Sequence, residues 1–185
     1  MRLIPSKLAF KELLRGCHIT TSTVLMRRSV LERVAPFQPE AVPGEDWDFW
    51  LRLSAEFDLA YCPEPIAYYR IHANSITGAY NVESVLASHE FTLGRIFADP
   101  AFRYAHLRGY AYSCLERTLA MVAARGRRRG AISSHMARAI RQRPGLLLER
   151  DTLGVLYESA KTLLPTNVVA AGRRMKRGLR ARVVI

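Results

Sequence analysis

Every segment of this chain that reads as extended lies before residue 78, and that limits the folds open to it. There are three such segments. In residues 17–27 (CHITTSTVLMR), Ile19, Thr21, Thr23 and Val24 make a run of branched side chains suited to a strand. Residues 58–62 (DLAYC) and 65–72 (PIAYYRIH) are shorter strand candidates, separated by Pro63 and Pro65. From about Tyr80 onward the apolar spacing is helical, with helices expected over 80–98, 101–125, 130–142, 151–164 and 167–180, broken at Pro100, Gly126–Gly130, Pro144–Gly145 and Pro165. Three short strands do not readily close a core by themselves, so the mixed segment reads as part of a larger sheet. The expectation is an α/β chain in two parts: a partial mixed sheet with flanking helices over residues 1–79, then a mainly helical extension over 80–185.

Helices are also expected inside the first part. Residues 6–15 (SKLAFKELLR) put Leu8, Phe10, Leu13 and Leu14 on an apolar side, with Ser6 as a cap and Gly16 as a stop. A short helix is expected over residues 27–34. Residues 35–44 (APFQPEAVPG), with three prolines and a glycine, are a loop, and residues 45–57 (EDWDFWLRLSAEF) form the next helix.

Charge divides the chain differently. Residues 1–124 carry 13 Lys+Arg and 13 Asp+Glu, whereas residues 125–185 carry 15 and 3, so the whole net charge of +12 sits in the last third. Such a one-sided basic region suggests an anionic partner, a phospholipid surface or a nucleic acid. The nucleic-acid reading is the weaker of the two, because residues 125–185 hold one aromatic, Tyr157, and so no stacking platform. No apolar run approaches the ~18–20 residues that a membrane-spanning helix needs, and the first 15 residues have no apolar stretch of a secretory signal. Cys17, Cys62 and Cys114 are few, odd in number and far apart, which argues against a disulfide framework and points to a reduced, cytoplasmic compartment, with peripheral attachment at the inner membrane face through the basic extension.

The densest chemistry is GEDWDFWLRL, where Glu45, Asp46 and Asp48 open a helix and alternate with Trp47 and Trp50. One reading is structural. Acids in a first turn complement the helix macrodipole, Asp48 and Arg52 are spaced for an i,i+4 ion pair, and the tryptophans are core. The other reading is catalytic: one carboxylate faces a cleft and takes a proton from an acceptor hydroxyl, with tryptophan as an apolar wall for a sugar ring. Spacing does not decide which acid faces the cleft. Arg70 and His72 are a second candidate, since they close a strand and lead into a polar turn with Asn74, Ser75 and Thr77. His18, His89, His106 and His135 have no acid or cysteine at ligand spacing and read as structural. Glycine-rich phosphate loops, G-x-S-x-G and H-E-x-x-H are absent.

Taken in order, LLRGCHITTSTVLMRRSVLERVAPFQPE and GEDWDFWLRLSAEFDLAYCPEPIAYYRIHANSIT, over residues 13–77, resemble the second half of a family 2 glycosyltransferase with the GT-A fold. The resemblance implies an inverting transfer of sugar from a nucleotide-sugar donor to a glycan or lipid-linked acceptor. It matches Asp46 with the general base, Glu45 with the acid that helps place the acceptor, Trp47 and Trp50 with residues that line the acceptor pocket or pack beneath it, and Arg70 and His72 with the segment that approaches the donor diphosphate. A divalent metal, Mg²⁺ or Mn²⁺, belongs to the intact family, and His72 is the one candidate for its neighbourhood here. The family's D-x-D motif and first βαβ units do not precede Leu13, and Ala35-Pro36-Phe37 stands where relatives often have Gly-Gly-Phe. The resemblance thus implies the acceptor-side half, from a truncated product, a mis-assigned start or a remnant, which by itself binds nucleotide sugars and metal poorly. A non-enzymatic protein binding nucleic acid or an anionic membrane through residues 125–185 is the alternative.

Overall fold

The computed structural model describes residues 1–68, 81–165 and 169. It is mostly helical, with one small antiparallel sheet. In chain order the elements are β1 (Arg2–Ile4), α1 (Ser6–Leu13), α2 (Glu45–Glu56), β2 (Leu59–Tyr61), α3 (Val82–Ile96), α4 (Arg108–Arg125), α5 (Arg129–Gln142) and α6 (Arg150–Lys161). β1 pairs with β2 in the register Arg2↔Tyr61, Leu3↔Ala60, Ile4↔Leu59. Among the described residues this two-stranded ribbon is the whole sheet, so the larger mixed sheet is not seen there.

The strand expected at residues 17–27 is not formed. A 3₁₀ turn occupies Thr21–Thr23 instead, and both the backbone N–H and the hydroxyl of Thr23 donate to the Thr20 carbonyl (2.9 and 2.7 Å). Threonine side chains that bond to nearby backbone offer an alternative to a ladder, and without a neighbouring strand that alternative wins. The short helix over 27–34 is likewise a 3₁₀ segment, Arg28–Glu32. The third strand candidate has no regular structure over Pro65–Tyr68, and the rest of it, with the boundary near residues 78–80, lies outside the described residues.

α1 forms where its apolar spacing places it, but Ser6 does not cap it. Pro5 precedes the helix, and the Ser6 N–H donates to Asp58 Oδ1 (2.6 Å), an acid from just before β2. The Ser6 hydroxyl is buried, donating to the Ser54 carbonyl (2.7 Å) and sharing a 2.8 Å bond with the Tyr104 hydroxyl. α1 is thereby tied to α2 and to the segment before α4. Phe10 completes the joint: fully buried, it lies against Phe97, Phe102 and Tyr104 with ring centroids 4.9–6.3 Å apart. Aromatic pairs at such spacing contribute ~0.5–1.5 kcal/mol beyond burial.

Helices expected beyond residue 80 are present, except that the second begins at Arg108 rather than 101 and the expected helix 167–180 lies outside the described residues. Residues 101–107 instead make turns. The Asp99 carboxylate accepts from the Ala101 N–H (2.8 Å), and Phe102 and Tyr104 use the irregular backbone to reach the Phe10 cluster. α3 opens with a capping box between Asn81 and Ser84. α4 is the central helix, packed by α3, α5 and α6, and its alanines (Ala111, Ala120, Ala123, Ala124) let the neighbours approach closely. The apolar core is continuous from Phe10 on α1 to Val155 on α6.

The basic run Arg125–Arg129 proves to be a helix terminus. Gly126 is the C-cap of α4 and Arg127 follows at φ 58°. The Arg128 N–H donates to the Ala123 carbonyl (2.9 Å) and the Arg127 N–H to that of Ala124 (3.1 Å), the paired bonds of a Schellman turn. An arginine at the left-handed position carries strain that glycine avoids. Its side chain offsets this by donating to the carbonyls of Thr162 (3.0 Å) and Leu164 (2.7 Å), and Arg129 also reaches Thr162. These arginines complement the carbonyl end of α6.

Candidate active site

The site is the first turn of α2. The proline-rich loop 35–44 delivers the chain to Gly44, the N-cap residue, whose carbonyl accepts from the Asp48 N–H (2.9 Å). No side chain caps this end, so Glu45, Asp46 and Asp48 supply the negative charge that the exposed N–H groups favour. Trp47 locks the turn in place: its indole N–H donates to the Leu13 carbonyl at the end of α1 (2.6 Å), and its ring stacks on His89 of α3 (centroids 4.2 Å apart, planes 25° apart).

The structure separates the three acids that the sequence leaves equivalent. Asp48 is fully buried, with Oδ2 bound by Arg52 (2.7–2.8 Å) and Oδ1 buried without a hydrogen-bond partner. Arg52 also donates to the carbonyls of Ala35 and Pro36, so the expected ion pair serves to strap the loop onto the helix. Asp46 is only part-buried. Its Oδ1 accepts from the Trp47 N–H (2.7 Å) and its Oδ2 from the Cys17 thiol (3.7 Å). The Glu45 side chain, also part-buried, makes no hydrogen bond or ion pair among the described residues.

Trp47 and Trp50 are buried, at 4% and 1% exposure. Neither presents a face to solvent, so they underpin the turn rather than wall an open pocket. Arg70 and His72 lie outside the described residues. A cleft of about 300 Å³ is lined by Arg33, Arg52, Glu56, Arg95, Ile96 and Phe102 among others. It touches the second half of α2, and none of Glu45, Asp46, Trp47 or Trp50 lines it. Among the described residues no three His, Cys, Asp or Glu stand together as a metal site.

Cys17 and His89 are the neighbours that sequence reading did not connect with this turn. Cys17 is 29 positions from Asp46, and no spacing signal joins them. Desolvation, then the Asp46 carboxylate, push its thiol up to about 11. It is therefore a protonated donor to Asp46 at neutral pH, not a thiolate nucleophile. His89 is pushed down to about 4 by desolvation and stays neutral under Trp47. Between pH 6.5 and about 4 the unfolded chain binds a proton that the folded chain does not, so stability falls on acidification through that window, by up to about 3 kcal/mol. Urea unfolding from pH 7 to 4 is expected to show this slope, and His89→Gln to flatten it.

No helix among the described residues is long and apolar enough to cross a membrane. Searched against family models, curated proteins and solved structures, the chain matches none.

Proposed function

We propose that this chain is the acceptor-side part of an inverting, family 2-type sugar transferase with a GT-A-type domain, in which Asp46 is the general base. In that reaction the acceptor hydroxyl oxygen attacks the anomeric carbon of a nucleotide sugar, the nucleoside diphosphate leaves with the electron pair of the broken bond, and the hydroxyl proton passes to the Asp46 carboxylate. The observation that carries the reading is the inequality of the acids in the first turn of α2. Asp48 is neutralised and buried by Arg52, whereas Asp46 is accessible and has no cationic partner among the described residues. A base needs an unpaired carboxylate within reach of solvent, which favours the part-buried Asp46 over the enclosed, Arg52-bound Asp48. In this reading Glu45 beside it holds an acceptor hydroxyl.

The reading requires a donor-binding half, which the resemblance puts ahead of residue 13. An in-frame sequence upstream of Met1 encoding βαβ units and a D-x-D motif is expected. If the upstream DNA carries no such frame, and the purified chain itself binds UDP- or GDP-sugars with micromolar affinity in calorimetry, the half-enzyme reading is wrong.

A further inference from the structure

α6 has two apolar faces, and the described residues cover only one of them. Thr152 and Val155 face the core, while Leu153, Leu156, Tyr157 and Ala160 occupy the other side at helical spacing and are exposed, Leu153 at 60%, Leu156 at 51% and Tyr157 at 59%. Leu148 before the helix (92%) and Leu163 and Leu164 after it (71% and 46%) extend the row. Single exposed leucines are ordinary on any surface; a periodic row of them marks an interaction face.

The charge left unmatched in this part of the chain is positive. The acids of residues 125–185 are Glu149, Asp151 and Glu158, and each is already matched: Glu149 by Arg117 and Arg143, Asp151 by Arg15 and Arg117, Glu158 by Lys161. Arg125, Arg141 and Arg150 are exposed and have no acidic partner among the described residues. Residues 166–185 add six Lys and Arg and no acid to the sequence.

We propose that the outer face of α6 docks on an anionic phospholipid surface, with Leu153, Leu156 and Leu164 entering the boundary between headgroups and acyl chains. Tyr157 sits at the headgroup level, and Arg150 at the start of the helix lies against lipid phosphates. The proposal stands apart from sugar transfer and goes beyond net charge, because it names an apolar insertion element. An anionic bilayer satisfies both features of the face. A nucleic acid would match the charge and leave the leucines in water; a second copy would cover the leucines by bringing the same excess of positive charge against itself.

Flotation with vesicles tests this on the whole chain. The parent protein is expected to float with phosphatidylcholine vesicles containing about a third phosphatidylglycerol, and not with phosphatidylcholine alone. The double variant Leu153→Ser/Leu156→Ser should lower that partitioning ~10-fold or more, with circular dichroism unchanged because neither side chain belongs to the core. Arg150→Gln should lower it several-fold at most, and less at high salt. The proposal is overturned if the parent does not float with the anionic vesicles or if the double variant floats equally well. It is equally overturned if the parent is a dimer in gel filtration that the double variant breaks, or if it binds duplex DNA as tightly as vesicles with the leucines immaterial.

Discussion

Asp46→Asn is expected to lower sugar transfer by ~10²–10⁴-fold, the usual contribution of a general base, when assayed in the chain joined to a donor-binding half. Donor affinity should be nearly kept, so the loss appears in kcat rather than in KM. The fold should tolerate the change. An asparagine oxygen can still accept from the Trp47 N–H, and losing one negative charge at a helix start costs about 0.3–1 kcal/mol. Asp48→Ala makes the opposite prediction. It leaves Arg52 holding only the Ala35 and Pro36 carbonyls and destabilises the chain by about 2–3 kcal/mol, with any loss of transfer following loss of folded protein. Product release measured beside urea unfolding separates the two. Near-parental turnover in Asp46→Asn would remove this residue as the base.

Arg117→Ala is expected to destabilise the chain by about 3–5 kcal/mol, the scale of a buried ion pair deprived of one partner. Arg117 is 3% exposed on the middle of α4. It donates to Glu149 (2.6 Å) and to the Arg15 carbonyl (3.3 Å), and lies 3.2 Å from Asp151. Three separate parts of the chain, the end of α1, α4 and the start of α6, therefore meet on one guanidinium. Removing it leaves Glu149 with Arg143 alone and unbinds the carbonyl end of α1. Acid should have a related effect. Desolvation opposes it, but the guanidiniums of Arg15 and Arg117 hold the Asp151 carboxyl below its ordinary value. This contribution is present above the unfolded pKa near 4 and is lost as pH falls through the folded one. Arg117→Ala should therefore be less sensitive to acid below pH ~4 than the parent, as urea midpoints at pH 3 and pH 5 would show.

Most of the helices were legible because their signals are local. The 3.6-residue spacing of Phe10, Leu13 and Leu14, the acids at the start of α2, and the Pro and Gly breaks after residue 98 all act within a turn or two of chain. The Asp48–Arg52 pair was legible for the same reason, being one helical turn long. The strand expected at residues 17–27 failed because β structure is not local: branched side chains favour a ladder only where another strand supplies one. Ser6 failed as a cap in the same way, since its hydroxyl is taken by the Ser54 carbonyl and the Tyr104 hydroxyl, 48 and 98 positions away.

At the candidate site the sequence by itself established that three acids and two tryptophans begin a helix after a proline-rich loop, and that the basic charge collects in the last third. Which acid stays part-exposed, that both tryptophans are buried, that Cys17 and His89 flank the turn, and that Arg127 and Arg129 bind the carbonyl end of α6 while Arg128 pairs with Glu83 were decided only by tertiary packing. Exposure and partnership belong to pairs of residues far apart in the chain, and they come into being only when a core such as that around Phe10 and Trp50 brings the helices together.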